Sequence, residues 1–346
     1  MSDLYTLEGW PNIKYIDDLG CWLNILISPR QVGKTFNVLK YMLDENRFHL
    51  FTRRTTHELE MISSNPLLSP YEKFKNYGHN VMFSGRSDMM EICGYDLNEK
   101  GERVKNDKQY GLATSLKEIA AVRGFNGDPF SDWIFDEFIP EKIVVVRKAE
   151  GDAFLNAHTT LNANRELEGR PPIKTWLLAN TNNINSPILN SLNIIDDILY
   201  ARRKDKEEYI TDNGVFIGQF KSEKILSKRK DTALMRQIGK DNDFYGMAIE
   251  NRFAYDESPY VKTMSLKGMQ PLWSYNDKIF CWQRQDSGMY ICKAPGKVRK
   301  KYGGSRTDRE RLALEWSIMR PYYYAAMINF SDLRTLSIFK SIFNIT

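Results

Sequence analysis

The chain has 346 residues, 42% of them hydrophobic and 27% charged, with a formal net charge of +5. Such a composition supports a sizeable core and argues against disorder, and the length suits two domains. No run reaches about 18 apolar residues, which speaks against a transmembrane helix. Residues 1–18 also lack a basic stretch before an apolar block, so no signal peptide is expected there and the expected compartment is the cytosol, away from membranes.

The first element expected is a short apolar strand, Cys21–Ile27, followed by a polar turn and a helix over Phe36–Leu43. A second strand, Phe48–Thr52, ends at Arg53 and Arg54. Asn80–Ser84 and Met89–Cys93 read as a hairpin around Gly85–Asp88. Trp133–Phe135 is a buried strand closed by two carboxylates, Ala149–Leu167 has helical composition, and Lys174–Ala179 is a further strand ending at Asn180. Strands alternating with helices predict an α/β core with a largely parallel sheet. Beyond about residue 200 the texture changes: a charge run at Arg202–Lys206, a basic helix-like stretch over Lys221–Lys240, and a boundary loop at Asp256–Pro259. Lys278–Arg284 and Met289–Lys293 flank Asp286-Ser287-Gly288 as a second hairpin. Helical patterns follow at Thr307–Arg320 and Ser331–Phe343. The expected division is 1–204, a helical linker region 205–255, and a C-terminal domain 256–346.

The four cysteines lack CxxC spacing, against both a zinc site and a disulfide framework. Only Cys281 and Cys292, expected to face each other across the second hairpin, are candidates to pair. His49, His57, His79 and His158 have no metal-ligand spacing and read as structural or surface residues.

Ser28-Pro29-Arg30-Gln31-Val32-Gly33-Lys34-Thr35 matches the phosphate-binding P-loop except at its first position, where serine replaces glycine. Gly33 lets the backbone approach phosphates, and the loop's N–H groups with the helix N-terminus attract anions. Lys34 is expected to reach the β- and γ-phosphates of ATP, and Thr35 to place its hydroxyl on Mg²⁺. About a hundred residues on, Asp136 and Glu137 end a buried strand, a costly place for two charges without a counter-ion. Asp136 is the expected second Mg²⁺ ligand and Glu137 the carboxylate that polarises the attacking water. The residues thus predict a Mg-nucleotide hydrolase. A guanine-reading Asn-Lys-x-Asp element does not occur, which weighs against a GTPase-like switch.

The Ser-x-Arg-Gln-x-Gly-Lys-Thr form resembles the loop of tailed-phage terminases and packaging motors. The wider pattern resembles the DNA-packaging ATPases of phi29-type phages. It is carried by the loop itself, by Arg53-Arg54 with Glu58-Leu59, by Ile134-Phe135-Asp136-Glu137-Phe138-Ile139, and by Asn164-Arg165-Glu166 leading to Leu178-Ala179-Asn180. It covers residues 20–200 well and is looser beyond. The resemblance implies an ASCE-type P-loop ATPase domain with helices on both faces of its sheet, and a smaller α+β C-terminal domain like a vestigial RNase H-like nuclease. It further implies a motor that drives double-stranded DNA into an empty capsid. The partners it implies are a homo-oligomeric ring, a pentamer, on the capsid portal protein, and in the phi29 type a scaffold RNA. The setting would be the host cytoplasm and, transiently, the procapsid vertex. By the same resemblance Asn180 senses the γ-phosphate and Arg165 reaches into the neighbouring subunit, with Arg170 or Arg147 as substitutes. Arg30 is the candidate for an arginine acting in cis, and Arg53 and Arg54 are candidates to flank the nucleotide, with a surface pair as the alternative. A terminase-type motor that also cuts DNA and a non-motor nucleotide-binding module are the alternatives.

Eight cations crowd Lys293–Arg311 against Asp308 and Glu310, so this segment carries +6 and the remainder of the chain −1. Lys297, Arg299, Lys300, Lys301 and Arg306 are the expected contacts to a nucleic-acid backbone, either DNA or RNA. The acids after residue 255 are few and none sits mid-strand, so this domain is expected not to cut DNA.

Overall fold

A computed structural model describes residues 3–86, 88–121, 125–139, 149–184, 186–240, 242–249 and 258–345. The chain divides into two units, Met1–Ala254 and Tyr255–Thr346.

The first unit is built on a nine-stranded sheet. Its strands are β1 (Leu23–Ser28), β2 (His49–Arg53), β3 (Val81–Arg86), β4 (Met89–Leu97), β5 (Arg103–Ser115), β6 (Asp132–Asp136), β7 (Lys174–Asn180), β8 (Glu208–Ile210) and β9 (Val215–Gly218). They lie in the order β3-β4-β5-β2-β6-β7-β1-β9-β8. From β5 to β9 every neighbouring pair is parallel, while β3, β4 and β8 add antiparallel edges. Every residue of β1 and of β6 is buried, as expected of strands covered on both faces. Val38, Leu39, Met42 and Leu43 of the helix Lys34–Asp44 join Leu26, Phe51, Ile134, Trp176 and Leu178 of the sheet in one core. At the end of the sheet where β6 and β7 begin, Arg47 bridges Asp17 (2.8 Å) and Asp132 (2.7 Å).

Several expectations are corrected here. The sheet does not end near residue 204: β9 pairs in parallel with β1, so the stretch taken for a linker supplies the neighbour of the strand that carries the phosphate loop. Within 221–240 the helix-like run is two short helices, Glu223–Lys230 and Ala233–Ile238, the second stopped by Gly239 at φ +70°. The helix foreseen to Leu167 stops at Asn162, where Ala163 turns to φ 43°. β5 is a 13-residue strand that the pattern did not reveal, its first half exposed and polar. Arg147, and Asp256 and Glu257 of the Asp256–Pro259 loop, lie outside the described residues.

The second unit is α+β, as expected. It holds a five-stranded mixed sheet of β10 (Gln270–Tyr275), β11 (Ile279–Gln283), β12 (Met289–Cys292), β13 (Lys300–Tyr302) and β14 (Ile328–Phe330). β10, β11 and β12 form an antiparallel meander, with β13 parallel to β10 and β14 parallel to β12. The helix foreseen over Thr307–Arg320 is two, Arg306–Glu315 and Met319–Tyr324. The last helix, Leu333–Phe343, is N-capped by Asp332. Cys281 and Cys292 are offset by one place: Cys292 stands opposite Phe280, and Cys281 opposite Ile291. Their side chains therefore point to opposite faces of the sheet, and both are free, buried thiols. Among the described residues no helix is long and apolar enough to cross a membrane.

Candidate active site

Three adjacent parallel strands, β6, β7 and β1, end together at one edge of the large sheet. Their register sets Ser28 of β1 beside Asn180 of β7, and Asp136 of β6 beside Leu178. The C-terminal edge of a parallel sheet is where ligands of open α/β folds bind. A cleft of ≈ 460 Å³ opens there, lined by Arg30, Gln31, Gly33, Lys34, Thr35, Phe36, Asp136, Glu137, Ala179 and Asn180.

The loop from Ser28 to Thr35 turns by two left-handed residues, Gln31 (φ 59°) and Gly33 (φ 83°). Successive N–H groups in such turns form a concavity for anions. At Gly33 a Cβ would lie 2.6 Å from the Asn37 amide and 2.8 Å from the Trp10 ring, so glycine is required twice, by conformation and by space. Ser28, the departure from the usual motif, has a structural reason. Its buried hydroxyl accepts a hydrogen bond from the Phe220 N–H at 2.9 Å, tying the start of the loop to the end of β9. Val32, buried, packs with Ile225 and Leu226 against Trp10. Pro29 contributes its carbonyl.

Lys34 is buried, and its ammonium donates to the carbonyls of Ser28 and Pro29, both at 2.9 Å, and to Asn180 Oδ1 at 3.3 Å. All three acceptors are neutral. Burial pushes its pKa down to about 7, against the pull of Asp136. A buried cation with only neutral acceptors, lining the cleft, fits an anionic ligand. The Thr35 hydroxyl donates to Asp136 Oδ1 at 2.7 Å. A hydroxyl and a carboxylate side by side are hard oxygen donors, the set that Mg²⁺ takes when phosphates complete its shell. The residues present therefore fit a Mg-nucleotide.

Arg53, at the end of β2, pairs with Asp136 Oδ2 at 2.7 Å and with Glu137 Oε2 at 2.8 Å. It is the counter-ion the two carboxylates require. Glu137 itself has φ 54° and a half-exposed side chain at the mouth of the cleft. Arg54 points the other way, as alternation along a strand dictates. It is buried, pairing with Glu150 at 2.7 Å and Glu58 at 3.4 Å, and so anchors the start of the helix Glu150–Asn162.

Arg165 is not brought to this cleft. It lies beyond the helix end, buried, with Nη2 donating to the carbonyls of Gly127, Asp128 and Phe130. Those carbonyls precede β6, so the guanidinium sits at the opposite end of the sheet from Asp136. Arg165 is therefore not a solvated helix-end charge, and any action in trans first requires it to leave those carbonyls. Arg170 is the more exposed arginine nearby, paired with Asp128 and Glu168.

The basic segment of the second unit is partly neutralised. Lys300 pairs with Glu315 at 2.6 Å, Arg306 with Glu310 at 2.8 Å, and Arg311 lies 3.8 Å from both Asp308 and Glu315. Arg299 donates to Gln270. Lys297 and Lys301 are not fully buried and pair with no carboxylate of a described residue.

No protein-family model and no curated protein matches the chain. Solved structures do. A chain of the phi-28 gp11 DNA packaging motor is similar over 99% of both chains, with a TM-score of 0.63 and 16% identity. A chain of the bacteriophage phi-29 viral genome packaging motor assembly is similar over 97% of this chain and 98% of its own, with a TM-score of 0.64 and 18% identity. The chain thus shares, over nearly its whole length, the fold found in those two structures.

Proposed function

We propose that the chain is the ATPase subunit of a viral motor that packages double-stranded DNA into a procapsid. The observation that carries this is the convergence of Lys34, Thr35, Asp136, Glu137 and Asn180 on one cleft, in a chain whose fold matches phage packaging-motor proteins from end to end. In this reading the loop N–H groups and Lys34 hold the phosphates of ATP, while Thr35 and Asp136 hold Mg²⁺. The bound ion supplies charge stabilisation at the phosphoryl oxygens. Glu137 polarises the attacking water, and Arg53, paired with it at 2.8 Å, holds that carboxylate in place. In this reading Asn180 registers whether the Lys34 ammonium has turned to a phosphate, a role supported by the hydrogen bond between the two. Arg30 lines the same cleft and serves in cis.

The rest of the proposal follows the family likeness: a ring, five-fold by that likeness, docked on the portal protein, with Arg165 or Arg170 supplied in trans. A scaffold RNA belongs to the same picture. The C-terminal unit is read as a vestigial RNase H-like fold, kept as a docking surface for nucleic acid.

The test is packaging itself. Purified protein with procapsids, DNA and Mg-ATP should yield DNA protected from added nuclease. Lys34→Ala should reduce ATP turnover by about 10³-fold or more and abolish protection, because the cation nearest the transferring phosphoryl group is lost. ATP hydrolysis without protected DNA in complete assemblies would leave an ATPase but remove the motor.

A further inference from the structure

Arg229 is a cation that the nucleotide reading does not use. It lies on the buried face of the helix Glu223–Lys230 with Ile225 and Leu226. One nitrogen, Nη1, donates to two backbone carbonyls, that of Arg30 in the phosphate loop and that of Ala248 at 2.6 Å. Ala248 belongs to the last turn of the helix Asp243–Ile249, where carbonyls have no partner within the helix. No carboxylate of a described residue pairs with Arg229, although burying a guanidinium without one is costly. Among the described residues, two other contacts from residues 220–249 hold the loop beside it. Phe220 binds the Ser28 hydroxyl, Ile225 and Leu226 pack on Val32, and Arg229 takes the Arg30 carbonyl. Only the last of these also reaches the helix that precedes the C-terminal unit, which begins at Tyr255.

We propose that Arg229 is a positioning residue of the phosphate loop, tying the Arg30 carbonyl to the last turn of the helix Asp243–Ile249 and thereby making that helix responsive to nucleotide. The inference rests on the reading of Ser28–Thr35 as a nucleotide loop. A loop that tightens around phosphates shifts its carbonyls. A single guanidinium nitrogen shared by two carbonyls passes such a shift to the second one without any further moving part. A residue that merely filled space would stabilise both elements and transmit nothing.

The experiment follows amide hydrogen exchange over 243–249 with and without Mg-ADP, alongside Mg-ADP affinity, in the full chain. In the unsubstituted protein, Mg-ADP should slow exchange in this helix. Arg229→Met, which keeps the bulk and removes the donors, should weaken Mg-ADP binding about tenfold, the worth of a charge-assisted hydrogen bond, and should abolish the exchange response. Arg229→Lys, which keeps the charge but not the fork, should show an intermediate loss of both. It carries the test alone if Arg229→Met does not fold. Unaltered affinity and response in the variants, or a helix indifferent to Mg-ADP in the parent, would overturn the proposal. If Lys34→Ala binds Mg-ADP as tightly as the parent, or the parent does not bind it, the nucleotide reading fails and this inference falls with it.

Discussion

Glu137 stands one residue past the end of β6 with a left-handed backbone, a conformation that a non-glycine residue adopts at some cost. The gain is placement: the turn brings its carboxylate back beside Arg53, at the mouth of the cleft rather than along the strand axis. Glu137→Gln should bind Mg-ATP with nearly the parent affinity and hydrolyse it at least about 10²-fold more slowly, because the water loses the group that accepts its proton. Filter-binding affinity measured beside steady-state turnover separates the two effects, and near-normal turnover would end the assignment. At this scale the sequence was most informative where chemistry is local. Lys34, Thr35, Asp136 and Glu137 were legible from motif and strand end, since each needs only its neighbours in sequence to be placed. Arg53 and Arg54 read alike as a pair, and only the alternation of β2 against its surroundings separates the site residue from the anchor. Arg229 gave no signal, because its acceptors are backbone carbonyls 199 residues before it and 19 after it.

Strand β2 also carries His49, buried between two partners. Its Nδ1 lies 3.0 Å from the Arg47 carbonyl, which can only accept, so that nitrogen holds the proton and Nε2 accepts from the Tyr71 hydroxyl at 2.8 Å. The neutral ring is fully satisfied, and burial pushes its pKa down, as it does for His158. With the folded value below the unfolded one, the unfolded chain binds more protons once the pH falls below about 6.5. Stability should therefore be full above that pH and decline below it, by up to about 1.4 kcal/mol per pH unit for each such histidine. Urea unfolding of the first unit between pH 7.5 and 5 checks this, and His49→Asn should flatten the profile. Elements differed in how far the pattern revealed them. β1 and β6 are built on short apolar runs, Ile25–Ile27 and Trp133–Phe135, and were plain. β5 was not, because residues such as Lys105, Asp107 and Lys108 in its first half are exposed and polar. β8 and β9 have three and four residues, too few for a period to show, and their place is fixed by pairing with β1 and with each other.

For the whole molecule, the trans-acting arginine is a question about assembly. Mixing Glu137→Gln subunits with Arg165→Ala subunits should restore part of the activity, since some interfaces would join an intact pocket to an intact arginine, an effect worth roughly 10³–10⁵ in rate in other NTPases. Rescue with Arg170→Ala and not with Arg165→Ala would assign the role to the exposed arginine and leave Arg165 as the pin of residues 127–130. The basic segment of the C-terminal unit calls for a different measurement. Neutralising Lys297, Arg299 and Lys301 together should flatten the slope of log affinity against log salt for duplex DNA by up to about three. An unchanged slope would return the segment to an ordinary solvated surface. The bond between Ser28 and Phe220 has a consequence in time as well as in space. It joins residues 192 apart, and β9, which flanks β1, is made just before it. During synthesis, then, the strand and loop that begin the site emerge early and wait as an open edge until some 220 residues have left the ribosome. Such long-range closure is slow and exposes nascent chains to mispairing, so the polypeptide acquires its phosphate-holding shape late in its own birth.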